Sequence, residues 1–288
     1  MIIIKLSGGL GNQLFQLAFG LEMSRESEFN LKLDTEELLY DPLRKYALDV
    51  LPIDLVKAKK HEIIKIKKGT FKDMILNLLS YSRNYYAQPM IKEKSFNFDS
   101  NFSFFRTDSV YYEGYWQSEK YFKNSKHQIR SLFQKIDRSK RIEYFLGSNE
   151  DYMLISMHYR RGDYAENLET TKYHGMPDSK YYSKALQYIS ERQNNLKVLV
   201  FSDDKDWVTK SVKLPITFEI IEGLEDIEEL ILMSHCKHNI IANSTFSWWG
   251  AWLNENPEKI VIAPKRWFAN EEMEAQTQDL IPETWIRM

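Results

Sequence analysis

One cysteine, Cys236, among 288 residues excludes an intramolecular disulfide and suits a chain kept in a reducing compartment. No stretch approaches the ~18 consecutive apolar residues needed to span a bilayer as a helix. The opening Met1-Ile2-Ile3-Ile4-Lys5-Leu6 is too short for the apolar core of a secretory leader and lacks its basic flank. The expected location is therefore the cytoplasm. Neither sign of charge dominates: 39 Lys and Arg against 41 Asp and Glu leave a formal net charge of −2, which argues against nucleic acid as a partner. G-x-S-x-G, the P-loop and C-x-x-C are missing, as are internal repeats and low-complexity tracts. His235 and His238 flank Cys236, but their spacing fits no standard zinc site and no further ligand cluster accompanies them.

What the chain does have is hydrophobic residues, 43%, with 17 Tyr, 16 Phe and 7 Trp. That is enough for well-packed cores. The aromatics also suit a protein that handles sugars, although such rings are more often simply core. Ile2 to Leu6 reads as a buried strand, followed by a glycine turn and a helix from about Asn12 to Arg25 with Leu14, Leu17, Ala18 and Leu21 at helical spacing. A second strand is expected at Asn30 to Asp34. The stretch from 35 to about 105 is less legible. Its basic run from Lys57 to Lys68 reads as a solvated helix face, or as a weak attraction to an anionic membrane surface. Val110 to Trp116 is strand-like and Lys120 to Phe133 helix-like.

Beyond 150 the alternation is regular. Strands are expected at 152–157, 197–201, 216–221, 239–242 and 259–263. Helices are expected from an Asp178 N-cap to Arg192, near 204–212, from Glu225 to Cys236 and from about Phe246 to Asn254. Strands alternating with helices predict the α/β class with parallel sheets, and the chain start opens in the same way. The expectation is two facing Rossmann-like domains, with a boundary between 135 and 150 set at 145: residues 1–145 first, 146–288 second.

Three segments carry candidate chemistry. His158-Tyr159-Arg160-Arg161-Gly162-Asp163-Tyr164 follows the strand at 152–157, so two arginines would emerge at a strand's carboxyl end, where open α/β sheets bind ligands. Guanidinium groups grip phosphates through paired hydrogen bonds, which suggests a diphosphate. A salt bridge from Arg160 or Arg161 to Asp163 explains the same residues equally well. Gly8-Gly9-Leu10-Gly11-Asn12-Gln13 links strand to helix and half-matches the dinucleotide fingerprint, with Asp34 placed as a ribose-binding acid. The third glycine is missing, and a structural turn is the competing reading. Asn243-Ser244-Thr245-Phe246-Ser247-Trp248-Trp249-Gly250 would offer three hydroxyls and the first N–H groups of a helix to a phosphate, with the paired tryptophans as core. Asp204-Lys205-Asp206 matches a short metal-binding pattern, but helix capping explains it better. Glu229 lies on a helix stripe with Leu232, Met233 and Cys236, where it could accept hydrogen bonds from a guanine.

Together these three segments, in this order and spacing, resemble the α1,2-fucosyltransferases of glycosyltransferase family 11, most closely the bacterial, anchorless members. The resemblance covers nearly the whole chain and is weakest between about 40 and 105. It implies a GT-B architecture, with acceptor on the N-terminal side and GDP-β-L-fucose on the C-terminal side. The implied reaction transfers fucose with inversion to O2 of a terminal galactose of a glycan, without a required metal or other cofactor. It further implies Arg160 at the donor diphosphate, Arg161 in support, His158 toward the GDP and Glu229 at the guanine, where relatives usually carry Asp. Gly11, Asn12, Gln13, Asn243, Ser244, Thr245, Phe246 and Ser247 complete the expected donor-binding set. The general base stays open among Asp163, Glu166, Glu169 and His174, with Asp163 preferred. A lipid-linked acceptor would place the enzyme at the inner face of the cell membrane. A nicotinamide-dependent oxidoreductase resting on Gly9, Gly11 and Asp34, and a non-catalytic glycan-binding module resting on the aromatics, are the competing classes.

Overall fold

The structure is a computed structural model that describes residues 1–68, 85–102, 109–162 and 172–288. The chain divides into two compact units: Met1–Lys135 with Gln278–Leu280, and Ile136–Thr277 with Ile281–Met288. The main division falls between Lys135 and Ile136.

The first unit holds four strands, β1 (Ile2–Lys5), β2 (Leu31–Asp34), β3 (Met90–Lys92) and β4 (Val110–Glu113), in the order β2-β1-β4-β3. All pair in parallel. β1 is central, and Ile2, Ile3 and Ile4 are all fully buried, which explains why the strand is an unbroken apolar run rather than an alternating one. Among the described residues this unit has three α-helices: α1 (Leu10–Ser27), α2 (Lys60–Lys68) and α3 (Lys126–Gln134). α1 starts at Leu10, two residues before the expected position, because the turn after β1 is tight. The helix is buried around most of its circumference. The basic run forms α2, whose Ile63 and Ile66 pack on Ile3 and Tyr111 while most of its lysines face outward. Phe19 of α1 stacks on Trp116 with centroids 4.1 Å apart, and Tyr112 and Tyr121 meet Phe19 edge-on at 5.1 and 5.8 Å. Aromatic richness in this unit is core packing.

The second unit carries β5 (Met153–Tyr159), β6 (Leu196–Ser202), β7 (Phe218–Ile220), β8 (His238–Ile240), β9 (Val261–Ala263) and β10 (Ile286–Arg287). Their order is β10-β9-β8-β5-β6-β7, all parallel. Counted from β5, that is the 3-2-1-4-5-6 arrangement of a doubly wound nucleotide-binding sheet, and the winding reverses between β5 and β8. Its helices are α4 (Lys140–Gly147), α5 (Ser179–Ser190), α6 (Lys205–Ser211), α7 (Asp226–His235), α8 (Thr245–Leu253) and α9 (Glu271–Glu274). Asp178 caps α5 by accepting from Tyr181 N at 2.9 Å. β3, β10, α4 and α9 went unpredicted; each spans eight residues or fewer. Both sheets confirm the α/β class.

Below the carboxyl ends of this second sheet, a buried amide network locks the helices to β8. Asn239 Nδ2 donates to Ser156 Oγ (2.7 Å) and to Met233 O (2.9 Å). Asn254 Nδ2 donates to Asn239 Oδ1 (2.8 Å) and to Cys236 O (2.7 Å). Lys259 Nζ donates to Ala251 O and Asn254 O at the C-terminus of α8, at 2.7 and 2.6 Å. Trp248 and Trp249 are fully buried, as the core reading expects.

Candidate active site

The second unit brings its charged residues to the end of the sheet where the winding reverses. β5 and β6 run side by side with Tyr159 opposite Ser202, so the next residues, Arg160 and Asp203, emerge as neighbours. Arg160 Nη1 lies 2.7 Å from Asp203 Oδ2, and the Arg161 backbone N–H donates to Asp203 Oδ1 at 2.8 Å. One carboxylate thus fixes both the side chain of the first arginine and the backbone of the second. Gly162 completes the wrap: a Cβ there would fall 2.5 Å from Asp203 Oδ2. Arg161 is set apart, its guanidinium over the Trp207 ring at 4.0 Å. Its Nε is 3.5 Å from Asp204 Oδ2, close enough for charge attraction but not aligned as a hydrogen bond. The salt bridge to Asp163 that the sequence offered as an alternative lies outside the described residues; among them, Arg160 meets Asp203 and Arg161 meets Asp204, both in the loop after β6.

His158, the penultimate residue of β5, is buried, and its backbone carbonyl accepts from Tyr182 Oη at 2.9 Å. Burial, reinforced by the positive charges of Arg160 and Lys205, pushes the imidazole pKa down to about 3. The ring is therefore neutral at pH 7. Its Nδ1 has no hydrogen-bond partner among the described residues, and Phe246 packs beside it with centroids 5.7 Å apart. Glu229, on α7, receives Lys205 Nζ at 2.8 Å. Burial raises the Glu229 carboxyl pKa and the lysine partly offsets it. Asp204 accepts from Trp207 N at 3.0 Å as the N-cap of α6, so the capping reading of Asp204-Lys205-Asp206 holds. Among the described residues no group of three or more His, Cys, Asp or Glu is placed to hold a metal ion.

Asn243-Ser244-Thr245 joins β8 to α8 on the other side of the winding reversal. Asn243 Nδ2 lies within hydrogen-bond reach of the carbonyls of His174 (3.0 Å), Gly175 (3.2 Å) and Trp267 (3.0 Å), pinning three segments together. Ser244 sits at the N-cap of α8 without a side-chain capping bond, and the first turn of α8 holds no acidic residue. Ser247 Oγ turns back onto Ser244 O at 3.3 Å. The expected cradle of three hydroxyls is therefore one uncommitted cap serine, Thr245 beside it, and a third hydroxyl folded into the helix. Asp163, Glu166 and Glu169 lie outside the described residues.

The glycine turn of the first unit is built differently. Gln13 donates to Gly8 O and Lys45 O, both at 2.8 Å, and accepts from Ala47 N at 3.0 Å. Both of its amide hydrogens serve the fold. Asn12 Oδ1 accepts from Gln117 Nε2 at 3.0 Å, and Gly11 is buried in the first turn of α1. Asp34, the ribose acid of the oxidoreductase reading, receives Tyr111 Oη at 2.7 Å and Glu36 N at 3.0 Å.

The family model for glycosyl transferase family 11 matches residues 1–288, the whole chain. The chain belongs to that family. Among curated relatives, the alpha-1,2-colitosyltransferase of Escherichia coli is 35% identical over 298 residues, covering 100% of this chain and 99% of the relative. The Escherichia coli O-antigen biosynthesis glycosyltransferase WbnK is 31% identical, covering 98% and 99%. The bovine galactoside 2-alpha-L-fucosyltransferase SEC1 is 25% identical over 103 residues, 34% of this chain and 28% of that protein. Family 11 membership sets aside the oxidoreductase and the non-catalytic module. Among the described residues, no helix is long and apolar enough to cross a membrane.

The sequence missed Asp203 and Lys205 as members of this cluster. Their signal was positional: Asp203 follows β6 as Arg160 follows β5, and adjacent parallel strands end together.

Proposed function

We propose that this family 11 member is a galactoside α1,2-fucosyltransferase, moving L-fucose from GDP-β-L-fucose to the 2-hydroxyl of a terminal β-galactose. The observation that carries the reading is Arg160 at the carboxyl end of β5, held by Asp203 at the winding reversal, opposite the N-terminus of α8. The GDP leaving group gathers negative charge as the bond from the anomeric carbon to the diphosphate oxygen breaks. Arg160 and the backbone N–H groups at Ser244–Thr245 take up that charge from fixed positions, with the Ser244, Thr245 and Ser247 hydroxyls beside them. Phe246 and neutral His158 line the nucleoside side, and Glu229 accepts from guanine while Lys205 holds its carboxylate. Arg161 and Asn243 shape the loops around them. Galactose O2 attacks the opposite face of the sugar, inverting the anomeric centre, and gives up its proton to a base, for which Asp163 is our choice. In this reading the first unit receives the acceptor, the second holds the donor, and no metal is required.

Incubation with GDP-fucose and a panel of β-galactosides in EDTA, followed by linkage analysis, should give an α1,2-fucosylated product. Arg160→Ala should lower turnover by about a hundredfold or more while the protein stays folded. Full turnover by that variant, or a strict Mn²⁺ requirement, counts against the mechanism. The colitosyl specificity of a relative 35% identical to this chain favours a second reading, a GDP-colitose donor. Colitose is fucose without its 3-hydroxyl, so competing the two donors in one tube separates the readings.

A further inference from the structure

Glu93 follows β3, at the same end of the first sheet as the glycine turn. Its Oε2 accepts from Tyr115 N at 2.7 Å and its Oε1 from Trp116 N at 3.0 Å. The chain is moulded around this carboxyl group. A Cβ on Gly114 would fall 2.4 Å from Glu93 Cβ and 2.9 Å from Oε2. Trp116 adopts φ of 56°, a left-handed conformation that costs a non-glycine residue about 1–2 kcal/mol. Among the described residues no cation pairs with the carboxylate, and burial lifts its pKa to about 7 against the pull of the two N–H groups.

A carboxylate bracing a turn explains those two bonds but not what lies in front of it. Glu93 walls a cavity of about 340 Å³, with Asn97, Phe98, Asp99, Trp116 and Tyr121 among the other walls. That volume lies within the range of small-ligand sites. Two acidic groups face it. Lys94, which also lines it, sets its ammonium over the Tyr85 ring at 4.0 Å. Lys92 lines it too, so the two acidic and two basic residues balance in charge, and an uncharged polyol finds acceptors beside apolar ring surface. Each oxygen of Glu93 keeps a lone pair beyond the one given to the backbone, a match for two adjacent hydroxyls of a pyranose.

We propose that this cavity is a subsite for the acceptor glycan, holding one uncharged pyranose whose neighbouring hydroxyls donate to Glu93. The inference rests on the transferase reading above and adds where in the first unit the acceptor is gripped. The test uses lactose as acceptor and GDP-fucose as donor. Glu93→Gln keeps the shape but loses the charge, and a hydrogen bond to a charged group is worth about tenfold or more in the KM for lactose. The KM for GDP-fucose should stay within about twofold, a split that a purely structural lesion would not give. An unchanged KM for lactose in the folded variant overturns the proposal. If Glu93→Gln does not fold, Asn97→Ala on another wall is judged by the same split. If the wild-type protein transfers nothing to lactose or to any other β-galactoside of the panel, the transferase reading is at fault, and the cavity is then read by saturation-transfer NMR of lactose without donor. Signal lost in Glu93→Gln supports the subsite; signal retained, or absent from the wild type, overturns it.

Discussion

The two units place similar architecture in opposite service. Each has a parallel sheet with a crevice at its middle, between β1 and β4 in the first and between β5 and β8, where the winding reverses, in the second. In the first unit that point is stitched shut. Gln16 accepts from Ser7 N and donates to Ser7 Oγ and Gly114 O, all at 3.1 Å, tying the loop after β1 to the loop after β4. Neutral amides fill the crevice, and Glu93 stands one strand further out. In the second unit the same point gathers His158, Arg160, Asp203, Lys205 and Glu229. Charge is costly to bury and amides less so. The polar residues thus separate the crevice closed by amides from the one our proposal gives to the donor.

The sharpest way to break this contrast is Asp203→Ala. Arg160 would lose its anchor and the Arg161 N–H its acceptor, so transfer should fall by about a hundredfold with the fold retained. Asp203→Asn, which keeps an acceptor for Arg161 N, should recover part of the kcat; full kcat in the alanine variant would show that the carboxylate positions nothing. In the stitched unit the effect should appear as stability instead. Gln16→Leu strands Ser7 N and Gly114 O and should cost about 2–3 kcal/mol, read in denaturant unfolding. A loss below about 0.5 kcal/mol would mean that water replaces the amide there.

Lys205→Met tests whether the ion pair in the open crevice is structural. Glu229 would keep its burial without its cation, for a loss of about 1–2 kcal/mol after allowing for the lysine's partial exposure. Glu229→Gln in the same chain should restore most of it. A double-variant loss equal to the sum of the two single-variant losses would show that the pair is not coupled.

The smallest effects are slopes with pH, and they oppose each other. Between pH 3 and 6.5 His158 is neutral in the fold and protonated when unfolded, so its contribution is lost as pH falls through that window. Between pH 4.5 and 7 Glu93 is protonated in the fold and ionised when unfolded, so its contribution is lost as pH rises. Each amounts to at most about 1.4 kcal/mol per pH unit, and where the windows overlap they offset. Stability measured across pH 4.5–6.5 should therefore change in opposite senses in His158→Asn and Glu93→Gln. Parallel curves for both variants and the wild type would contradict the assignment.

Much of this was legible in the sequence because parallel sheets write plainly. Buried strands such as Ile2–Lys5 and Met153–Tyr159 are dominated by apolar residues, and Asp178 marked its helix start as an N-cap does. The loops carrying Arg160 and Ser244 could be assigned to the ligand-binding end from those strands alone. Short elements such as β3 and β10 could not be found, because two or three residues show no period. Partners were harder still. Arg160 stands 43 positions from Asp203 in the chain, and only the strand register makes them neighbours. Gln13 resembled a ligand contact because an amide beside a glycine turn serves a phosphate or the chain's own carbonyls equally well. Its bonds to Gly8 and Lys45 could be known only from the folded loop.

The lysine at the far end of α8 has a consequence for the near end. Lys259 covers the Ala251 and Asn254 carbonyls at the end of that helix, which cancels much of its negative pole. At the opposite pole Ser244 makes no side-chain capping bond, and the helix's own first turn holds no acidic residue. The helix then acts on its surroundings less as a balanced dipole than as a single fractional positive charge, fixed to the sheet and impossible to titrate.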